Sequence, residues 1–285
     1  MGHLLDEVLR AVADQRDEAA AERRHDAFAA FASQVIDQYL RQAPVDATGA
    51  GDHRFDGAWP ELTAAAEART RAWLEQTRAA LAALPRAGRS TQNQIDAEIL
   101  DDQLRFALFS IDELKPYDRQ PTAYTNLLGE GLDPLVNRSF GTKDSRMASL
   151  RGRLEGIPAV VAAARARLAH PAAIETEQAI QQTKGLIALV TTELPPRFAE
   201  VPAQKAALTA AAATAATALR DLQKFLETDL AKRSDGTFRL GRERFTKKLG
   251  FALGEDVDPD AIAAGARALL AQTQTEMVDT AKQIW

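Results

Sequence analysis

Asp52, His53, Arg54 and Asp56 put an imidazole, a guanidinium and two carboxylates into one short stretch. Groups of these types can bind a polar substrate, or orient a neighbour that does, once a loop gathers them within hydrogen-bonding reach. The competing expectation is a structural turn, in which an aspartate caps the backbone and Arg54 pairs with an acid. Asp46, Gly49 and Gly51 lie just upstream, so the stretch from Pro44 to Asp56 reads as a series of turns between two helical patterns.

Other chemistry-bearing patterns are sparse. Helical di-metal sites need two Glu-x-x-His pairs, and the chain has one, Glu22 with His25, in a strongly charged segment that reads as a solvated face. No His-Glu-x-x-His, no Gly-x-Ser-x-Gly elbow and no phosphate-binding Gly-x-x-x-x-Gly-Lys-Ser/Thr loop occurs. Gly49-Ala50-Gly51 and Gly129-Glu130-Gly131 lack a third glycine and a preceding strand. Glu98 and Asp102 lie one helical turn apart, the spacing of an exposed acidic face. His3 and His170 read as surface residues. Asn137-Arg138-Ser139 has the form of a glycosylation acceptor, a match that arises readily by chance. There is no cysteine, which excludes disulfides, thiolate catalysis and Cys-based zinc sites. No catalytic residue, metal ligand or cofactor is assigned from the residues themselves.

The elements that must carry these groups read as helices almost throughout. Of 285 residues, 46% are hydrophobic and only 6% aromatic, with an alanine and leucine bias that favours helix. Phe28, Phe31, Val35 and Tyr39 share a face near the end of a first helix. Trp73, Leu74, Thr77, Leu81 and Leu84 do so on a second. A third begins at a Thr91–Gln94 capping box, buries Ile95, Ile99, Leu104, Leu108 and Ile111, and ends near Lys115-Pro116. Further helices are expected over Ala123–Val136, Lys143–Leu168 (kinked or broken at Pro158), Ala172–Glu193 and Pro202–Lys232. Ser234-Asp235-Gly236 reads as a turn and Thr237–Gly241 as one short extended piece. A helix over Arg242–Leu253 follows, and the last starts at Asp258-Pro259. Its apolar stripe ends at Ile284-Trp285 without a cap, which is expected of a chain that naturally continues. The expectation is one all-α domain over residues 1–285, with about eight or nine helices.

The net charge of −5 and the scattered Lys and Arg argue against a nucleic-acid partner, which needs a basic patch. No apolar run is long enough to span a bilayer, and the acidic start does not resemble a signal peptide. A cytoplasmic location is the default, with a secreted or periplasmic one expected if a leader was removed.

The loop also resembles a family. Pro44, Ala47, Thr48, Gly51, His53 and Asp56 fit the pattern Pro-x-x-Ala-Thr-x-x-Gly-x-His-x-x-Asp of the bacterial domain-of-unknown-function family 885, a group of candidate zinc metallopeptidases. Asp96–Leu100, Pro121-Thr122-Ala123-Tyr124, Arg153–Pro158, Thr176–Ala179 and Leu240–Phe245 resemble further family segments in the same order. The resemblance adds Tyr124 to the substrate-binding candidates. It implies a longer protein whose later half holds a His-Glu motif and a Gly-His-His thought to bind zinc, and nothing here matches those. Zinc is therefore expected only with a C-terminal catalytic half. What carries over is an all-α fold that walls a peptide cleft. The expected partners are a peptide substrate or that catalytic half. The rival is a free-standing helical module that binds a peptide or protein, and a small-ligand carrier ranks last.

Overall fold

Periodicity of 3.6 residues becomes helix across most of the described residues. The computed structural model describes residues 27–86, 89–254 and 257–284. His3, Glu22, His25, Trp285 and the expected start of the first helix lie outside them. The fold is all-α, as expected. Two compact units divide between Phe238 and Arg239.

The larger unit opens with α1 (Ala27–Gln42), a short α2 (Pro44–Gly49) and a single 3₁₀ turn at His53–Phe55. The turns expected from Pro44 are thus partly helix, because Pro44 occupies the first helical turn, where its fixed φ fits and no N–H is needed. Next come α3 (Ala64–Ala83) and α4 (Thr91–Phe109). The cap of α4 is Ser90, whose hydroxyl accepts from Asn93 N–H at 3.1 Å, one residue before the expected capping box. A π turn (Ser110–Leu114) then ends at Lys115, held at φ 51°, ahead of the single-turn α5 (Pro116–Arg119).

Four helices build the main core: α6 (Pro121–Asn137), α7 (Lys143–Arg167), α8 (Ala173–Ala188) and, after the one-turn α9 (Pro195–Phe198), α10 (Lys205–Thr228). Helix α7 is not broken at Pro158. Leu150, Leu154 and Ile157 of α7 are fully buried, and each contributes about 2–3 kcal/mol of burial. Ala211, Ala212, Ala215 and Ala218 of α10 are buried too; their small side chains let α10 lie close along α7.

A second, smaller core joins α1, α3 and α4 through Phe28, Leu74, Leu81, Ala97 and Leu104. Ile95, expected in this stripe, is 46% exposed. The contact is made instead by Ala97, Leu100 and Leu104, so the buried stripe begins half a turn later than the isoleucines suggest.

Among the described residues there is no sheet. Isolated bridges pair Ala172 with Asp235 and Gly236. The extended piece expected at Thr237–Gly241 forms no strand. Pairing falls earlier because Gly236 alone fits there: its N–H donates to Pro171 at 3.0 Å, and a Cβ would lie 2.0 Å from the His170 carbonyl. His170 itself is exposed, at φ 50°, with its ring 2.7 Å from Asp235.

The smaller unit holds α11 (Arg242–Leu253) and α12 (Pro259–Ile284). Asp258 caps α12, accepting from Asp260 N–H at 2.9 Å, and Arg242 pairs with Asp260 at 2.6 Å. Neither helix has a buried residue, and Ile262, Leu269, Leu270, Met277 and Ile284 leave their apolar stripe exposed.

Candidate functional site

The loop from Pro44 to Trp59 separates its polar groups into an exposed part and a buried part. Asp52 caps the 3₁₀ turn, accepting from Arg54 N–H at 3.1 Å. The Arg54 guanidinium turns back onto the same carboxylate at 2.5 Å and reaches Asp37 of α1 at 2.7 Å. Arg41 joins Asp37 from one turn further along α1, at 2.9 Å. Both arginines also lie over the Phe55 ring, at 5.6 Å for Arg41 and 5.0 Å for Arg54. Hydrogen bonds from Arg54 hold the Asp52 carboxyl below its usual range; Arg41 and Arg54 do the same for Asp37.

His53 links this exposed part to the buried one. Its ring stacks on Phe140 at 3.8 Å with planes 6° apart, and Nδ1 lies 3.0 Å from Asp56 Oδ2. Asp56 is only 4% exposed. Its other oxygen accepts from the Thr48 hydroxyl at 2.7 Å. That hydroxyl accepts in turn from Arg153 Nη2 at 3.1 Å.

Arg153 projects from α7 with no exposed surface and organises the loop. Nε donates to the Asp56 carbonyl at 2.6 Å, and Nη2 donates to the Pro44 carbonyl at 3.0 Å. One side chain therefore fixes both ends of the 44–56 segment. Burial pushes its pKa down to about 10, and the nearby Asp56 carboxylate opposes that shift. Trp59 covers the guanidinium at 4.8 Å and donates from Nε1 to the Arg153 carbonyl at 2.7 Å.

Three glycines make room for this seat. A Cβ at Gly131 of α6 or Gly156 of α7 would come within 2.5 Å of the Trp59 indole. A Cβ at Gly152 would lie 2.6 Å from the Gly57 carbonyl. Gly131, part of the Gly129-Glu130-Gly131 motif, thus serves close packing of an aromatic ring inside a helix.

Tyr124 lies away from the loop cluster. It is 1% exposed, donates from its hydroxyl to the Tyr117 carbonyl at 2.9 Å and meets the Tyr117 ring edge-on at 5.3 Å. Burial raises its pKa.

A groove of about 960 Å³ opens between α1 and α3, floored by Trp59, Pro60 and Glu61. It follows the seam between the two cores: Trp59 packs on the larger and Trp73 on the smaller. Asp37, which pairs with Arg54, and Arg41, which pairs with Asp37, also line it, so the exposed half of the loop cluster braces one wall. Its charges pair among themselves, Arg41 with Asp37 and Arg69 with Glu61 at 2.5 Å. The groove can therefore offer hydrogen bonds and aromatic faces to a ligand of low net charge. Among the described residues no three His, Asp or Glu side chains come together as metal ligands.

The sequence profile described as "Bacterial protein of unknown function (DUF885)" matches residues 44–285, starting at the first residue of the Arg153-held loop. The chain belongs to this family. A structure of a candidate lipoprotein of unknown function from Shewanella oneidensis is similar to it, with a TM-score of 0.80 and 24% identity. The similarity covers 91% of this chain and 48% of that one, so this chain spans about half the length of that protein. No curated protein matches.

In this DUF885 chain Arg153 and the groove residues are the functional candidates that motif reading misses. Arg153 had a signal: it stands three residues after Leu150 and four before Ile157, on the stripe that α7 buries. Gln34, Gln38 and Gln42 of α1, which also line the groove, had none, since amides on a helix face look like solvated surface.

Proposed function

We propose that this chain is the cleft-forming helical part of a longer, zinc-dependent peptidase, holding the substrate while a separate half supplies the metal chemistry. The observation that carries this reading is the groove between α1 and α3. Its wall, residues 33–42, extends about 13 Å, the length of roughly four residues of extended peptide. Its volume suits a ligand of that size. In this reading Arg54, held by Asp52, acts on the substrate through Asp37, which it braces, and His53 ties the loop to its buried part. Asp56 and Tyr124 keep the scaffold in shape. The family resemblance supports the metal-dependent half, and the length of the Shewanella protein allows for it. The cytoplasm is the default location, and the lipoprotein description of that relative raises an extracytoplasmic one.

The test is to express the 285-residue chain alone and joined to the sequence that follows it in its source genome. The joined protein is expected to cleave peptides in a broad library and to lose that activity to a chelator. The chain alone should bind peptides without cleaving them. A joined protein that binds zinc and cleaves no peptide would contradict the peptidase reading. It would leave a free-standing peptide-binding module in its place.

A further inference from the structure

Gln34, Gln38 and Gln42 stand at intervals of four residues on the wall of α1 that lines the groove. Four residues of helix rise about 6 Å, so the three amides form a row some 12 Å long. In an extended peptide, N–H and C=O groups facing one side recur every two residues, about 6.7 Å apart. The two repeats differ by less than a flexible glutamine side chain can absorb. Each amide can both donate and accept, as a peptide unit does. Gln42 accepts from Thr70 of α3 at 3.1 Å, which anchors one end of the row. Gln34 and Gln38 are exposed, and their side-chain amides make no hydrogen bond to any described residue. Trp59 and Trp73, half-buried, add aromatic surface on the floor and on α3. The groove's charges are already paired, so a charged segment would gain nothing there to offset its desolvation.

We propose that the glutamine row of α1 is a backbone-reading subsite that takes an extended, uncharged peptide segment, Gln34 and Gln38 bonding its main chain and Trp59 and Trp73 its side chains. This rests on the peptide-cleft reading and names the substrate class within it. Main-chain recognition makes the site tolerant of sequence and intolerant of anything that lacks peptide N–H groups.

The chain has three tryptophans, so Trp285→Phe leaves Trp59 and Trp73 as the only indole reporters. This protein would be titrated with a blocked hexapeptide of alternating alanine and threonine, following indole emission. The same would be done with the fully N-methylated hexapeptide and with maltohexaose. The plain hexapeptide is expected to shift the emission saturably. N-methylation and the double change Q34A/Q38A should each weaken it about tenfold, the loss of one or two hydrogen bonds. Both glutamines are exposed, so the double variant should melt like the parent, as circular dichroism will check. Peptide binding that ignores both changes would overturn the glutamine row and leave the peptidase reading standing. Binding of maltohexaose instead of the peptide, or of neither, would also overturn it. Failure of the peptidase reading would appear separately, as a joined protein that cleaves nothing.

Discussion

Arg153→Met should lower stability by about 3–5 kcal/mol, the largest loss expected of any single change here. The side chain has no exposed surface and makes three hydrogen bonds to the loop. Methionine fills much of the volume, so the cost is mainly electrostatic and polar. The Asp56 carbonyl loses its donor in a buried place, at about 1–3 kcal/mol, and the Pro44 carbonyl is left with the Thr48 hydroxyl. The nearly buried Asp56 carboxylate also loses a nearby positive charge, the situation in which breaking a buried polar cluster is most destabilising. Trp59 also loses the cation over its ring. Urea unfolding followed by far-ultraviolet circular dichroism measures the loss. Arg54→Ala is the internal comparison. Arg54 lies in the same loop and has two acidic partners, but it is half-exposed, and its change should leave the midpoint almost where it was. If Arg153→Met and Arg54→Ala unfold at the same urea concentration, the buried-anchor account of the loop is wrong.

Alkaline pH should unfold the protein in a single step that coincides with ionisation of its tyrosines. The chain has three, and all resist ionisation in the fold. Burial pushes Tyr117 up to about 12. Tyr124 is raised by burial, and Tyr39 by burial together with the Asp46 carboxylate that its hydroxyl meets. A phenol in the unfolded chain titrates near 10. From pH 10 upward the unfolded state therefore releases protons that the folded state keeps. Stability is full below pH 10 and falls as pH climbs through 12. Each tyrosine loses about 1.4 kcal/mol per pH unit in that window. Arg153 works the other way, because its lowered pKa lets the folded state shed a proton first. Three phenols against one guanidinium leave a net loss of about 2–3 kcal/mol per pH unit, or about 4–6 kcal/mol by pH 12, a large share of an ordinary fold's stability. Phenolate absorbance and the helical signal should change together. Tyrosines that ionise near pH 10 while the helices persist would refute this.

Helix content and most inward faces were legible because burial leaves a periodic mark. Leu150, Leu154, Ile157, Val161 and Leu168 are all buried where their spacing placed them. The misplacement of Ile95 shows the limit: an apolar residue in the first turn of a helix can clear the neighbouring helix altogether. The Pro44–Asp56 stretch was legible as unusual from its turn residues, and Asp52 capping with Arg54 pairing follows from local chemistry. Its anchor was legible only as an inward residue: Arg153 falls on the stripe that α7 buries, but it lies 97 residues from Asp56 and spacing does not say what it holds. The groove was less legible still. It depends on how two separate cores meet, and its wall is made of glutamines that no hydrophobic pattern marks.

On the proposed reading, the groove between α1 and α3 holds a peptide, with the loop as its brace. A photoreactive version of the alanine–threonine hexapeptide, with a benzophenone side chain at its centre, tests this most directly. After irradiation with the 285-residue chain, mass spectrometry locates the attachment sites. The account predicts adducts on residues 33–42 and on the stretch from Trp59 to Trp73, and their loss when unlabelled hexapeptide competes. Adducts confined to other surfaces, or untouched by competitor, would contradict it.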